Sequence, residues 1–152
     1  MKIQRKEQGF TIVELLIVIV VIGILALLVI TTFTGIQQKA RNTERTTDVT
    51  AIASHLEAYN AINGYYPTLA NMNDATFRTD NLKGLDVAAF ADPKAPTVQT
   101  LSATAGANVY SYVPLTTGGA ACTNVTGSEC ASFTLTATNE TSPVTTFTKK
   151  NL

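Results

Sequence analysis

Histidine occurs once in this 152-residue chain, cysteine twice and tryptophan not at all. A single His55 without a positioned partner supports neither metal binding nor acid–base catalysis, and reads as a surface or packing residue. Two cysteines are too few for a structural zinc site without other ligands, and no Cys-x-x-Cys spacing offers a catalytic thiol pair. No Ser/His/Asp set, phosphate loop or metal cluster stands out, so neither an enzyme nor a cofactor is expected. Charge is also scarce: 14% of residues are charged, and 11 basic residues balance 11 acidic ones. That balance offers no basic surface for nucleic acid. Proline first occurs at Pro67, and Gly35 is the only glycine between Gly23 and Gly64. Nothing between Phe10 and Asn63 therefore breaks a helix strongly.

What the chain does have is an apolar run. From Leu15 to Ile30 every residue is apolar or glycine. Phe10 to Ile30 contains only two polar residues, Thr11 and Glu14. About 20 apolar helical residues cross a bilayer core of roughly 30 Å, so the run can span. Its many Ile and Val residues do not argue against a helix in lipid, where every backbone polar group must be satisfied within the segment. Lys2, Arg5 and Lys6 precede the run against one acid, Glu7. That bias holds the N-terminus in the cytoplasm and sends the C-terminus outward.

Three readings of the run compete: a secretory signal peptide, an uncleaved anchor, and a chain cut before the run at Gly9–Phe10. The run is longer than a usual signal core, and no Ala-x-Ala site follows Ile30. Glu14 is the oddity, because intramembrane acids are costly and usually have partners. A cut after Gly9 would create an α-amino cation on Phe10, four residues before Glu14 and on the same face of a helix. Negative charge is also favoured near a helix N-terminus. Glu14 could reach its own amine, snorkel to the interface, or meet a neighbour's amine in a staggered bundle and so set register.

Beyond the run, Gln37 to Asn63 continues the helix. Val49, Ile52, Leu56 and Tyr59 form an apolar stripe that should face a sheet. Gly64 is a natural stop and Pro67 forbids simple continuation. Gln37 to Asp48 carries Lys39, Arg41, Glu44, Arg45 and Asp48, and reads as a solvated helix surface whose opposite charges could pair between neighbours in a filament. Residues 69–97 read as loops with short helical turns. Strand alternation follows in "NVYSYVPL", "SFTLTAT" and "VTTFT", with "VQTLSA" as a fourth, the composition of a half-buried antiparallel sheet. Cys122 and Cys130 fall outside the cytoplasm in this topology, where disulfides persist. A Cys122–Cys130 bridge closing the turn between two strands is expected to contribute roughly 2–3 kcal/mol in the loop-entropy model. Asn124-Val125-Thr126 and Asn139-Glu140-Thr141 match the general glycosylation sequon, a pattern short enough to arise by chance.

"QGFTIVELLIVIVVIGILALL" resembles the class III signal of type IV prepilins and of the related secretion and competence pseudopilins. The resemblance implies that a prepilin peptidase cuts between Gly9 and Phe10 and N-methylates Phe10, and that Glu14 is the family's assembly glutamate. "NGYYPT", Asn63 to Thr68, resembles the Gly-x-Tyr-Pro turn that ends the long helix in many of these proteins. "Tyr-x-Tyr" followed by "Phe-Thr-Leu-Thr-Ala" resembles their sheet. The implied fold is α+β and pilin-like: a long N-terminal helix, apolar in its first half, packed on a small C-terminal antiparallel sheet. The implied organisation is a leader at 1–9, a transmembrane and filament-core helix at 10–34, the extramembrane half of the helix at 35–64, and a loop region with β-domain at 65–152.

The resemblance also implies partners. They are further copies in a helical filament, the prepilin peptidase, an assembly platform and the membrane, with no direct nucleic acid. The prepilin would sit once through the cytoplasmic membrane, N-terminus inside, and the filament on the cell surface or in the periplasm. The short chain and "NGYYPT" pull toward a secretion or competence pseudopilin or a minor pilin. A monomeric membrane-anchored binding domain is the reading of a different class. Many pilins carry a proline two-thirds along the apolar helix, where this chain has Thr31, with Gly23 upstream. Some pseudopilins bind calcium after the helix, where Asp74, Asp80, Asp86 and Asp92 recur here every six residues. These four lack the dense alternation of an EF-hand loop and suit turns and caps, so no metal site is expected.

Overall fold

A computed structural model describes residues 9–141 and 144–151, leaving aside the side chain of Thr31. Apart from Gly9, the expected leader lies outside the described residues. The first element, α1, runs unbroken from Ile12 to Asn63, 52 residues, through Gly23 and Gly35. Chain contacts divide the molecule into two compact units, one ending at Gln37 and one beginning at Gln38.

In the first unit, the described side chains of α1 from Ile12 to Ile36 are all exposed. Val18 and Val21, among the least exposed, are still 48% open. The helix is long and apolar enough to cross a membrane by length and composition. Such a surface has no cover among the described residues, and a helix that is apolar all round is stable only in lipid or in a larger apolar core.

In the second unit the periodicity of α1 changes meaning. Val49, Ile52, Ala53, Leu56 and Tyr59 are buried in one cluster with Tyr110, Tyr112, Phe133, Leu135 and Ala137. The 3-4-3 spacing puts the helical residues on one side, and burying each large side chain stabilises by about 1.5–3 kcal/mol. The helix ends where Gly64 takes φ +79° and donates its N–H to the Asn60 carbonyl at 2.7 Å. Short helices follow, α2 (Leu69–Asn73) and α3 (Ala75–Asn81), then a 3-10 turn at Val87–Phe90.

The sheet has three antiparallel strands in the order β1 (Ser111–Leu115), β2 (Ser132–Thr138), β3 (Thr146–Lys150). Tyr112 faces Leu135 and Ala137 faces Phe147 across the ladders. Phe133, Leu135 and Ala137 of β2 are buried. The fourth strand expected in "VQTLSA" does not form. Asn73 takes both backbone groups of Leu101, accepting its N–H at 2.7 Å and donating to its carbonyl at 2.9 Å. With those groups spent, only Ser102 bridges to β1, accepting from the Tyr112 N–H and donating to the Tyr110 carbonyl, each at 2.9 Å.

Candidate functional site

The start of α1 is built from four residues. Thr11 is the last residue before the helix, and its carbonyl accepts the Leu15 N–H at 3.2 Å. Its Oγ1 accepts the Glu14 N–H at 3.2 Å, while Glu14 Oε2 accepts the Thr11 N–H at 2.8 Å and the Thr11 hydroxyl at 2.7 Å. This reciprocal arrangement is a capping box, in which a Thr cap and an acid three residues later satisfy each other's backbone donors. Thr-x-x-Glu ahead of an apolar run is a sequence signature of that box, and it would have found Thr11. The box changes one expectation. Phe10 lies outside the helix, so it does not share a helix face with Glu14. Phe10 is 87% exposed. Gly9 has no heavy atom within 4 Å of where a Cβ would sit and does not hold a left-handed φ. Nothing within the described chain requires glycine there.

The second cluster corrects the expectation of a solvated surface at Gln37–Asp48 in part: residues 37–40, 43, 44 and 47 are exposed, but Arg45 is not. Arg45 is 1% exposed. Its Nε and Nη2 donate to the two oxygens of Asp92 at 2.6 and 2.8 Å, the fork-on-fork geometry for which guanidinium is suited. Its Nη1 donates to Asn42 Oδ1 at 2.8 Å. Glu140 then collects cations: Arg41 through Nε at 2.8 Å and Nη2 at 2.7 Å, Arg45 Nη2 at 2.8 Å and Lys94 Nζ at 2.8 Å. Its own N–H donates to Asn42 at 2.9 Å. The charges pair within one chain, and the network ties the 92–95 and 139–141 loops to the helix.

Electrostatics follow the geometry. Hydrogen bonds from Arg41, then Lys94 and Arg45, outweigh burial and hold the Glu140 carboxyl well below its usual range. The Asp92 hydrogen bonds push Arg45 further up. Asp48, whose carboxylate accepts from the Tyr110 hydroxyl at 2.8 Å, is pushed up from 3.8 to about 6. Burial is the main cause, with the Glu44, Asp92 and Asp86 charges adding to it and the Tyr110 bond opposing. The Tyr110 hydroxyl is pushed up in turn, by burial and then by Asp48.

The four periodic aspartates are not brought together. Asp74 caps α3 by accepting the Phe77 N–H at 2.6 Å, and Asp86 caps the 3-10 turn by accepting the Ala88 N–H at 2.9 Å. Asp92 is the partner of Arg45, and Asp80 is exposed. Among the described residues no group of three or more His, Cys, Asp or Glu side chains is placed to hold a metal ion.

A disulfide joins Cys122 to Cys130. The loop it closes is docked on the helix exit. Tyr66 donates its N–H to the Cys130 carbonyl at 2.8 Å, and the Tyr112 hydroxyl donates to the Pro67 carbonyl at 2.7 Å. Asn124, at φ 56°, donates from Nδ2 to the Tyr66 carbonyl at 2.8 Å and accepts the Cys130 N–H at 2.7 Å. That nitrogen is the one a sequon glycan would need, and here it is committed to the fold.

Residues 4–30 match the family model for the prokaryotic N-terminal methylation motif. The chain is similar to type II secretion system core protein G of Vibrio cholerae, 40% identical over 68 residues, 45% of this chain and 47% of that protein. It is similar to the protein of that name from Escherichia coli, 38% identical over 68 residues with the same two shares. The one from Dickeya chrysanthemi is 38% identical over 65 residues, 43% of this chain and 42% of its own length. Each of these matches spans less than half of the relative's length. No solved structure matches the chain. The methylation motif over residues 4–30, the partial likeness to these relatives, and one long helix with a small antiparallel sheet make the chain similar to the type II secretion pseudopilins over its N-terminal part.

Proposed function

We propose that this chain is a structural subunit of a type IV pilus-like filament, cut between Gly9 and Phe10 by a prepilin peptidase, N-methylated on Phe10 and polymerised through α1. The observation that carries the proposal is the bare apolar first unit. The apolar start of α1 lies within the methylation motif and has no cover among the described residues, so it needs lipid first and other copies later. Gly9 adds support: a glycine that the chain's own geometry does not demand suits recognition by an outside enzyme. In this reading residues 1–9 are the leader, 10–34 cross the membrane and later line the filament core, and 35–64 with 65–152 form the outer subunit. The prepilin sits in the cytoplasmic membrane with its N-terminus inside.

Glu14 is the assembly residue in this proposal. Its Oε2 is engaged by Thr11, and its Oε1 is left to meet the amine of a neighbouring copy. A second reading, the pseudopilus of a type II secretion system, is favoured by the name that the relatives share. The two readings use the same subunit design. Mass spectrometry of the exported protein, together with electron microscopy of surface filaments, tests the proposal. The expected N-terminus is methylated Phe10, and intact Met1 in the exported chain would sink the processing step.

A further inference from the structure

From the capping box we infer that Thr11 is a positioning residue for the methylation of Phe10. The inference rests on the processing reading above and assigns a role to a residue which that reading does not use. Three hydrogen bonds lock Thr11 to Glu14, and they fix Ile12 as the first helical residue. The freed α-amine of Phe10 then stands one residue outside the cap, with its own side chain 87% exposed. A helix start without its cap is free to slide by a residue or to fray, since the first turn carries unsatisfied N–H groups.

Position matters because of the chemistry. Methylation needs the nitrogen lone pair: the amine nitrogen attacks the methyl carbon of a sulfonium methyl donor, a C–N bond forms as the C–S bond breaks, the electron pair returns to sulfur as a thioether, and one proton leaves the nitrogen for solvent. An ammonium drawn down onto a carboxylate has no lone pair to give. Glu14 is the carboxylate within reach, and Thr11 holds one of its oxygens with two donors. Remove the Thr11 hydroxyl, and two of the three bonds go: the Glu14 N–H loses its acceptor, and Glu14 Oε2 keeps only the Thr11 N–H. The first turn can then slide toward Phe10, and the amine becomes a competing donor for Glu14.

The test uses the full-length prepilin in membranes with prepilin peptidase and a sulfonium methyl donor. N-terminal mass spectrometry reads the cleaved fraction and the methylated fraction separately. Thr11→Val is expected to lower the methylated fraction of the cleaved chain about fivefold, the effect of losing an average cap. Thr11→Ser, which restores a capping hydroxyl, is expected to return it to near the wild-type level. If T11V also blocks the cut, a form freed at Phe10 by a site-specific protease is given to the same enzyme for methylation alone. Methylation of T11V to the wild-type extent would overturn the inference and leave the processing reading intact, and so would failure of T11S to rescue. A wild-type chain left uncut at Gly9–Phe10 would overturn the processing reading, and this inference with it.

Discussion

Arg45 has 1% of its surface in water, and its guanidinium meets Asp92, Glu140 and Asn42. Truncating it leaves Asp92, itself 2% exposed, as an unpaired buried charge. Arg45→Ala is expected to destabilise the fold by about 3–5 kcal/mol. Adding Asp92→Ala should cost less than the sum of the two single changes, because the residues share one interaction. Denaturant unfolding of the full chain in detergent measures both, and a strictly additive pair would refute the coupling. Asp48 gives a pH prediction of known sign. Its folded value, about 6, lies above its ordinary 3.8. Its contribution is therefore fully present below pH 3.8 and is lost as pH rises through about 6. Asp48→Asn keeps a partner for the Tyr110 hydroxyl and removes the titration. The variant should be more stable than wild type at pH 7 and lose less stability between pH 4 and 7, read from melting temperatures. None of this was legible in the sequence. A spacing argument treats Arg45 as polar and sends it to solvent. Its partner Asp92 lies 47 residues on, and Arg41 finds Glu140 99 residues away. The cap of Glu14 by Thr11 is different: Thr-x-x-Glu before an apolar run carries it in four residues, and reading Glu14 as a lone acid passes over it.

At the scale of elements, local chemistry and fold agree closely. Val49, Ile52, Leu56 and Tyr59 revealed the core face of α1 because helical period and burial coincide there. Gly64 ends the helix at a positive φ, as its lack of a Cβ permits. Three of the expected strands formed, but their burial is uneven: β2 buries Phe133, Leu135 and Ala137, β1 buries Ser111 and Tyr112, and β3 is largely exposed. "VQTLSA" alternates, but its pairing was decided by Asn73, a side chain on another element whose claim on Leu101 no alternation pattern records. The disulfide loop is the element with most to lose from a single change. Its hold on Tyr66, through the Cys130 carbonyl and Asn124, fixes the exit of α1 beside the bond from Tyr112 of β1 to the Pro67 carbonyl. Opening the loop with a double Cys122→Ser, Cys130→Ser change is expected to cost about 2–3 kcal/mol. Asn124→Ala keeps the disulfide but removes both side-chain bonds and places a Cβ without amide compensation at φ 56°. It should lower the melting temperature in both oxidised and reduced protein. An Asn124→Ala effect that vanishes on reduction would mean that Asn124 acts only through the disulfide.

The whole molecule poses one question at its N-terminus: whether Glu14 is there for its shape or for its charge. Inside one chain Glu14 completes a capping box, for which glutamine serves as well as glutamate because the amide oxygen accepts the same hydrogen bonds. Between chains, pairing with a neighbour's Phe10 ammonium needs the negative charge, since apolar surfaces alone set axial stagger poorly and a polar pair within them fixes register. Glu14→Gln and Glu14→Ala separate the two roles. Both variants should insert in the membrane, because removing a charge makes the apolar segment easier to bury. If the charge is what assembly uses, Glu14→Gln will keep the helix start at Ile12 and still yield few or no filaments, as Glu14→Ala does. If the cap is what assembly uses, Glu14→Gln will polymerise at wild-type yield and Glu14→Ala alone will fail. Filament yield, sheared from cells and quantified against the membrane pool, reads the difference. The bare apolar surface from Ile12 to Ile30 favours the first outcome: a long stretch of interchangeable Ile, Val and Leu can pack in many registers, and Glu14 is the charged residue along it that can select one.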